Sequence, residues 1–155
     1  MSTRTLDAAT LWEILASVTD PEIPVITIAD LGVLRSVETE DDRVVVTITP
    51  TYSGCPAMRQ IEDDIVAALA REGIDQVEVR TVYSPAWTTD DISSEGRAKL
   101  EACGIAPPTA EEKVLCPRCR APGPRMVGRF GSTACKALMV CGSCGEPFDY
   151  FKELR

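Results

Sequence analysis

The apolar residues in the first half of the chain form one stripe with helical spacing and two strand-like segments. A stripe with helical spacing predicts a helix over residues 7–18, with a capping box between Thr10 and Glu13 near its start. Two segments rich in β-branched residues, 33–38 and 43–49, flank an acidic turn and predict a β-hairpin. The chain is therefore expected to begin with one helix and two antiparallel strands.

A second helix and a third strand are predicted after the hairpin. Pro56 suits a first helical position and Gly73 suits a helix stop, so a helix is expected over residues 56–71. Residues 76–82 predict a strand, and residues 90–103 predict another helix or a pair of short turns. This order indicates an α+β fold, a small open mixed sheet with helices packed mainly on one face.

The C-terminal part of the chain contains two C-x-x-C pairs, Cys116 with Cys119 and Cys141 with Cys144. Two thiolates separated by two residues can point at one metal from a tight turn, and two such pairs complete a tetrahedral S4 site. We predict a structural Zn²⁺ held by these four cysteines. Iron–sulfur clusters also use four thiolates, so the residues alone leave iron as the alternative metal.

Two further cysteines accompany these pairs. Cys135 could replace one ligand, pack under the ribbon, or form a separate functional thiol, whereas Cys103 is expected to pack in the core. The predicted organisation is an α+β domain over residues 1–106, a linker over 107–113 and a small zinc-ribbon domain over 114–155.

Charge separates the two ends of this 155-residue chain, whose net charge is −8. Residues 1–110 carry 8 Lys+Arg and 19 Asp+Glu, a net −11, while residues 111–155 carry 8 and 5, a net +3. An acidic front argues against a nucleic-acid partner. No apolar run has the length of a membrane span and the N-terminus lacks a secretory apolar segment, so we expect a cytoplasmic protein without a membrane partner.

A second candidate site surrounds Cys55, at the expected start of the second long helix. Unpaired N–H groups and the positive end of the helix dipole converge there, which favours a thiolate. Thr51 adds a nearby hydroxyl, and Asp20, Glu22 and Asp30 lie in turns that could reach the same end of the sheet. Such a thiol could hold iron or a cluster, or act as a nucleophile. The alternative is a small buried residue beside a turn.

Several motifs resemble known families. Residues 20–25 (DPEIPV), 28–33 (IADLGV) and 51–56 (TYSGCP) resemble the SufT-like iron–sulfur assembly domain. Residues 130–138 (FGSTACKAL), with 147–152 (PFDYFK), resemble the zinc-ribbon extension of the PaaD family, also called PaaJ in some bacteria. The combined resemblance covers nearly the whole chain.

The resemblance implies a maturation factor for the phenylacetyl-CoA epoxidase, the ring 1,2-monooxygenase of aerobic phenylacetate degradation, and not a catalytic oxygenase. The implied clients are the reductase with its 2Fe–2S cluster or the di-iron oxygenase, with the iron–sulfur assembly machinery as a further partner. Carried over, Cys55 is the functional thiol, and Asp20, Glu22, Asp30 and Thr51 are its supporting groups. Zinc is then structural, and iron or an iron–sulfur cluster is transient cargo.

Competing functions remain open at this point. A homodimer could bring two Cys55 thiolates to one cluster, which suits an assembly factor. A Cys-dependent enzyme is disfavoured because the chain has no His and so lacks the usual base. A nucleic-acid-binding ribbon is disfavoured by the acidic front. A non-catalytic structural subunit of the oxygenase complex is the main alternative.

Overall fold

A computed structural model describes residues 6–52 and 54–154 of the chain. The N-terminal residues 1–5, where a secretory segment is not expected, lie outside the described part, as do Ser53 and Arg155. The chain divides into two compact units, residues 1–87 and 88–155. Among the helices that the structure describes, none has the length and apolar character needed to cross a bilayer.

The first unit combines helices with a three-stranded sheet of order β1-β2-β3. Strands β1 and β2 are antiparallel, and β3 runs parallel to β2 after a helical crossover. The predicted small open mixed sheet of an α+β fold is confirmed. The elements are α1 (Ala8–Leu15), α2 (Ile28–Leu31), β1 (Leu34–Glu40), β2 (Arg43–Ile48), α3 (Ala57–Arg71) and β3 (Val77–Thr81).

Helix α3 covers one face of this sheet. Its Glu62 accepts a hydrogen bond from the Thr81 hydroxyl at 3.3 Å. Val46 and Ile48 of β2 are fully buried, as are Ile61 and Ile65 of α3. Burying side chains of this size stabilises the fold by about 1.5–3 kcal/mol each, so this apolar layer is the core of the unit.

Helix α1 is shorter than predicted and has a different cap. The carboxylate of Asp7 accepts the N–H of Thr10 at 2.8 Å. A hydrogen bond from the Thr10 side chain, and after it this N–H, holds the pKa of Asp7 below its ordinary value of 3.8. The predicted capping box between Thr10 and Glu13 is therefore wrong. The helix ends at Leu15 because the chain then turns into a bridge between Thr19 and Thr27.

The second unit holds a four-stranded sheet of order β4-β7-β6-β5. Strand β4 is parallel to β7, and the other neighbours are antiparallel. Its apolar face packs Ala137 and Met139 against Phe148 and Tyr150. The elements are α4 (Ser94–Ala102), β4 (Ile105–Ala106), β5 (Arg125–Gly128), β6 (Lys136–Val140) and β7 (Pro147–Phe151), with short 3-10 turns at Thr89–Asp91 and Glu111–Lys113.

The division between the units falls after Trp87, whereas the sequence predicted a first domain that extends to residue 106. Strand β4 pairs with β7, far away along the chain, and so adds residues 105–106 to the ribbon sheet. Arg97 of α4 donates to the carbonyls of Pro108 and Thr89 at 2.7 Å each, which ties α4 to the same unit. Cys103, expected in the core, is exposed at the end of α4.

Candidate metal centre and the Cys55 loop

The first C-x-x-C pair folds into a tight turn closed by its own backbone. The N–H of Cys116 donates to the carbonyl of Ala121 at 2.9 Å, and the N–H of Arg120 donates back to the carbonyl of Cys116 at 2.8 Å. Arg120 has φ of +66°, the left-handed conformation that reverses the chain. The N–H of Cys119 also points at the Cys116 sulfur, at 3.5 Å.

The second pair repeats this turn almost bond for bond. The N–H of Cys141 donates to the carbonyl of Glu146 at 2.9 Å, and the N–H of Gly145 donates to the carbonyl of Cys141 at 3.1 Å. Gly145 stands where Arg120 stands in the first turn, with φ of +77°. Two equivalent turns therefore present two thiols each.

The four sulfurs converge into a single group. The Sγ atoms of Cys116 and Cys144 are 3.8 Å apart, and those of Cys119 and Cys141 are 3.5 Å apart. All four lie within 4.8 Å of one another. A tetrahedral zinc with Zn–S bonds of about 2.3 Å requires sulfurs about 3.8 Å apart. The donor set and its spacing fit one tetrahedral metal ion, which when bound would cross-link the two turns.

Backbone amides lower the pKa of one thiol of this group, which favours the thiolate that a metal binds. The N–H groups of Cys144 and Ser143 donate to the Cys141 sulfur at 3.4 and 3.3 Å, and they lower the pKa of Cys141 to about 6. At Cys144 a backbone hydrogen bond at Glu146 lowers the pKa, but burial and the thiols of Cys119, Cys141 and Cys116 outweigh it. The pKa of Cys144 rises to about 11. Of these two thiols, Cys141 is therefore the more acidic.

An ion pair joins the two turns on the surface. Arg118 Nη1 lies 2.8 Å from Glu146 Oε2. The hydrogen bond to Glu146, followed by the charges of Glu146 and the Cys144 thiol, raises the pKa of Arg118. The guanidinium also lies close enough to the metal ligands to offset part of the negative charge that four thiolates would carry.

Cys135 lies outside the four-cysteine group. It is buried, its sulfur is 3.0 Å from the Thr133 hydroxyl, and its carbonyl accepts the N–H of Lys152 at 3.0 Å. Its role as a separate thiol stays a prediction.

The Cys55 loop, residues 49–56, leads from β2 to α3. Cys55 is half-buried and lies one residue before the cap of α3, which is Pro56 and not Cys55 as expected. Its N–H donates to the carbonyl of Tyr52 at 3.2 Å, and its own carbonyl accepts the N–H of Met58 at 3.3 Å. Gly54 has φ of +78°, which strains any other residue, so the turn that sets the direction of Cys55 depends on this glycine.

Backbone hydrogen bonds attach this loop to the segment over residues 18–33. The N–H of Thr49 donates to the carbonyl of Val33 at 2.9 Å, and the N–H of Val33 donates to the carbonyl of Ile28 at 3.0 Å. The N–H of Ile28 in turn donates to the carbonyl of Val18 at 2.9 Å. The loop therefore starts beside the turns that carry the predicted acidic residues.

Two of those acidic residues shape their own turns. Asp20 is 7% exposed, and its Oδ1 accepts the N–H groups of Glu22 and Ile23 at 2.7 and 3.0 Å. Asp30 forms a capping box with Thr27 at the start of α2. Backbone N–H groups that donate to these two carboxylates therefore hold both turns together. Glu22 is half-buried in the same segment.

Thr51 is half-buried within the Cys55 loop. Its neighbour Thr49, not predicted as a site residue, is 1% exposed, and its hydroxyl has no hydrogen-bond partner among the described residues. A buried hydroxyl without a partner costs about 1–3 kcal/mol of stability, so Thr49 is a candidate for a functional role. In the sequence, this position could have been found as a polar threonine directly after the apolar strand β2. Also missed was Trp87, whose indole N–H donates to the carbonyl of Leu31 at 2.8 Å.

Two family models match the chain, one in each part. The model described as an iron–sulfur cluster assembly protein matches residues 8–82, and the PaaD zinc beta ribbon domain matches residues 102–152. The first model spans the sheet and the Cys55 loop, and the second spans both cysteine turns. Fold and sites together define an iron–sulfur assembly domain joined to a zinc ribbon.

Curated relatives extend this result to nearly the full length. A protein of Escherichia coli (strain K12), named as a candidate component of 1,2-phenylacetyl-CoA epoxidase, is 44% identical over 149 residues, covering 92% of this chain and 90% of that protein. The chain therefore belongs to the family of PaaD proteins, in which the assembly domain precedes the PaaD zinc ribbon.

Relatives of the first part alone carry a related name. The Fe-S protein maturation auxiliary factor SufT of Staphylococcus aureus (strain USA300) is 39% identical over 85 residues, covering 54% of this chain and 96% of that protein. A crystal structure of a domain of unknown function, DUF59, from Bacillus anthracis matches with a TM-score of 0.56 at 29% identity, covering 60% of this chain and 90% of that chain. The assembly domain thus occurs without a ribbon.

Proposed function

We propose that this protein is a maturation factor for the phenylacetyl-CoA epoxidase system, and that it helps to insert iron or an iron–sulfur cluster into a component of that complex. The role is assigned to the loop of the first unit, with Cys55 as the group that holds the cargo. The four-cysteine group of the second unit is assigned to resident zinc. The protein itself does not oxidise the aromatic ring.

The observation that carries this proposal is the single thiol of the first unit. Cys55 is the only cysteine among residues 1–87, and it is half-buried at the start of the 15-residue helix α3. One thiolate is an incomplete ligand set for iron, so a client with more ligands can displace it. A closed S4 group holds its metal too tightly for such transfer.

The residues around the loop suit a supporting role. Asp20 and Asp30 accept backbone N–H groups in turns of the segment to which the loop is attached, and we propose them as the supporting carboxylates. Glu22 and Thr51, both half-buried, are proposed as oxygen ligands or hydrogen-bond partners of the cargo. A second copy of the chain would supply a second Cys55 thiolate to the same cluster.

The proposed clients are the iron-containing components of the epoxidase, first the reductase with its 2Fe–2S cluster and second the di-iron oxygenase. The E. coli relative is named for that enzyme, and the S. aureus relative is named for Fe–S maturation. The iron–sulfur assembly machinery would then supply the cargo. We propose that this maturation takes place in the cytoplasm, where thiols stay reduced.

One observation favours a second function. The E. coli relative is named as part of the epoxidase itself, so this chain could instead be a non-catalytic structural subunit. Such a subunit remains in the finished complex at fixed stoichiometry, whereas a maturation factor leaves it.

The test compares Cys55→Ala with Cys103→Ala, which removes an exposed thiol from the second unit. Each variant is expressed with the epoxidase components in cells that lack the native protein, and the purified components are analysed for iron and acid-labile sulfide. Cys55→Ala should retain one zinc per chain but leave the client without its metal centre, while Cys103→Ala should behave as the wild type.

Full metal content in the client with Cys55→Ala would refute the role of this thiol. Stable copurification of the wild-type chain with the oxygenase in a fixed ratio would favour the structural subunit.

A further inference from the structure

A large aromatic side chain stands exposed at the end of strand β5. The side chain of Phe130 is 71% exposed and that of Val127 is 50% exposed. Three cationic residues accompany them: Arg125 and Arg129 are exposed, and Lys152 is half-buried. We call these five residues the Phe130 edge. Single exposed apolar side chains need no explanation, but an aromatic side chain held rigidly in water does.

Lys152 holds the exposed ring from the neighbouring strand end. Its Nζ lies 4.3 Å from the centroid of the Phe130 ring, a cation–π distance. The same ammonium donates to the carbonyl of Arg129 at 2.7 Å. Ring and backbone are therefore fixed by one side chain.

Hydrogen bonds to strands β6 and β7 hold the loop that follows Phe130. The N–H of Gly131 donates to the carbonyl of Lys136 at 2.7 Å, and the Ser132 hydroxyl donates to Asp149 at 3.2 Å. Lys136 Nζ lies 3.9 Å from the same carboxylate, and its side chain is only 5% exposed. A Cβ at Gly131 would lie 2.5 Å from Asp149 Oδ1, so any other residue would displace the Asp149 carboxylate.

A buried ion pair is a weak source of stability, because removing two charges from water costs nearly what their attraction returns. Here the pair between Lys136 and Asp149 instead fixes the geometry of the loop that carries Phe130. A side chain that is already ordered loses little entropy when a partner binds, which is the advantage of a preorganised binding surface. Rigid aromatic residues beside arginines are also the residues that dominate binding energy in protein interfaces.

Strand β5 lies at the edge of its sheet, with β6 on one side only. An edge strand can pair with an added strand from another chain, and flanking charges decide which chains are repelled. Arg125 and Arg129 repel basic segments and attract acidic ones. A groove of about 530 Å³ adjoins the edge and is lined by Met126, Phe130 and Tyr150.

The groove also carries acidic residues, since Glu111, Glu112 and Glu153 line it together with Arg129 and Lys152. A partner must therefore place its carboxylates towards the arginines of the strand and an apolar side chain in the groove beside Phe130. An extended segment meets both requirements, because successive side chains of a strand point to opposite sides.

We propose that the Phe130 edge docks an extended, acidic segment of the client protein, which adds as a strand beside β5. This inference rests on the proposed maturation function and names the surface by which the ribbon finds its client. The cargo loop and the docking edge then lie in different units of the chain.

The test uses the full-length, zinc-loaded protein and overlapping 15-residue synthetic peptides that cover the epoxidase components, with binding measured by fluorescence anisotropy. Wild-type protein should bind acidic peptides that contain an aromatic or aliphatic residue. Phe130→Ser and Arg129→Glu should each weaken this binding by about tenfold or more. Val66→Ser, which changes a 43% exposed side chain of α3 in the first unit, is the matched control.

Zinc content is measured for every variant, so that loss of the ribbon is not mistaken for loss of docking. Equal peptide binding by the wild type and Phe130→Ser would overturn the proposal, as would binding of basic peptides only. So would a concentration-dependent dimer of the wild type that Phe130→Ser abolishes, because a second copy would then occupy the edge.

A parallel readout separates this proposal from the proposed function. If Phe130→Ser abolishes peptide binding but the wild type never raises the iron and sulfide content of the client, the docking edge stands and the maturation function fails. If the wild type restores the client and Phe130→Ser restores it equally well, the docking edge fails and the maturation function stands.

Discussion

In the ribbon unit four thiols converge from two equivalent turns and lie within 4.8 Å of one another, whereas the first unit offers the single thiol of Cys55 in a loop. Four thiolates complete the coordination of one tetrahedral metal ion, so we expect metal binding and folding of the ribbon to be coupled. In the first unit Asp20 is engaged in holding its own turn, and the apolar core is built on α3 and β2. Under the proposed function, this difference means that the number of ligands, more than their chemical type, would separate a resident metal from a transferable one.

The largest effect is expected from removing the metal. Treatment with a chelator should expose the backbone amides of β5, β6 and β7 to hydrogen exchange and leave β1, β2 and β3 protected. The free energy of structural zinc binding, about 10–16 kcal/mol in small zinc modules, is largely folding free energy. Protected β6 amides in a sample shown to be free of metal would contradict a metal-dependent ribbon.

A smaller effect is expected from crowding the loop of the ribbon. Gly131→Ala places a Cβ 2.5 Å from Asp149 Oδ1, so overpacking should destabilise the second unit by about 1–3 kcal/mol. Gly142→Ala is the control, because no atom lies within 4 Å of its added Cβ. Thermal unfolding followed by two-dimensional NMR reports each unit separately. Equal unfolding temperatures of the two variants would show that the loop adjusts to the added methyl group, and that Phe130 is not rigidly held.

The first unit should respond to its own hydrogen bonds and not to zinc. Trp87→Phe removes the indole N–H that donates to Leu31, and a buried carbonyl without a donor should cost about 1–3 kcal/mol. Tyr83→Phe, which changes a 69% exposed side chain, should have no effect. Both variants should keep one zinc per chain. Zinc loss in Trp87→Phe would mean that the two regions are not independent.

The smallest effect, of opposite sign, is expected at the entrance to the Cys55 loop. Thr49→Val removes a buried hydroxyl that has no partner among the described residues, so the first unit should gain up to about 1 kcal/mol. Client maturation should fall nonetheless if this hydroxyl serves the cargo, a loss of function at higher stability. Thr47→Val in β2 is the control. Destabilisation in denaturant titrations would show that the hydroxyl is satisfied in the folded protein.

The sequence predicted the parts of the molecule that depend on short-range patterns. The β1–β2 hairpin follows from β-branched residues on both sides of an acidic turn, helix α3 from its proline start, and the four convergent cysteines from C-x-x-C spacing. The resemblance of residues 20–25 and 51–56 also pointed correctly to an iron–sulfur assembly domain.

Long-range pairing and local competition account for what was missed. The parallel pairing of Ile105 with Asp149 moves the boundary between the units, and no local pattern encodes a contact between such distant segments. The expected cap of α1 is wrong because the Asp7 carboxylate accepts the Thr10 amide, which makes Asp7 the N-cap. Cys103 is exposed because it is the C-cap of α4, where its thiol donates to the carbonyl of Leu100 at 3.1 Å.

The equivalent turns at Cys116 and Cys141 have a consequence for the segment between them. A metal that joins Cys119 to Cys141 closes residues 120–140 into a ring, and this ring contains β5, the loop with Phe130, and β6. Closing a ring of this size removes about 3–4 kcal/mol of chain entropy from the unfolded state, as a disulfide would. Unlike a disulfide, the link opens when the metal leaves. Cellular zinc supply would therefore govern whether the Phe130 edge exists in a form that a partner can recognise.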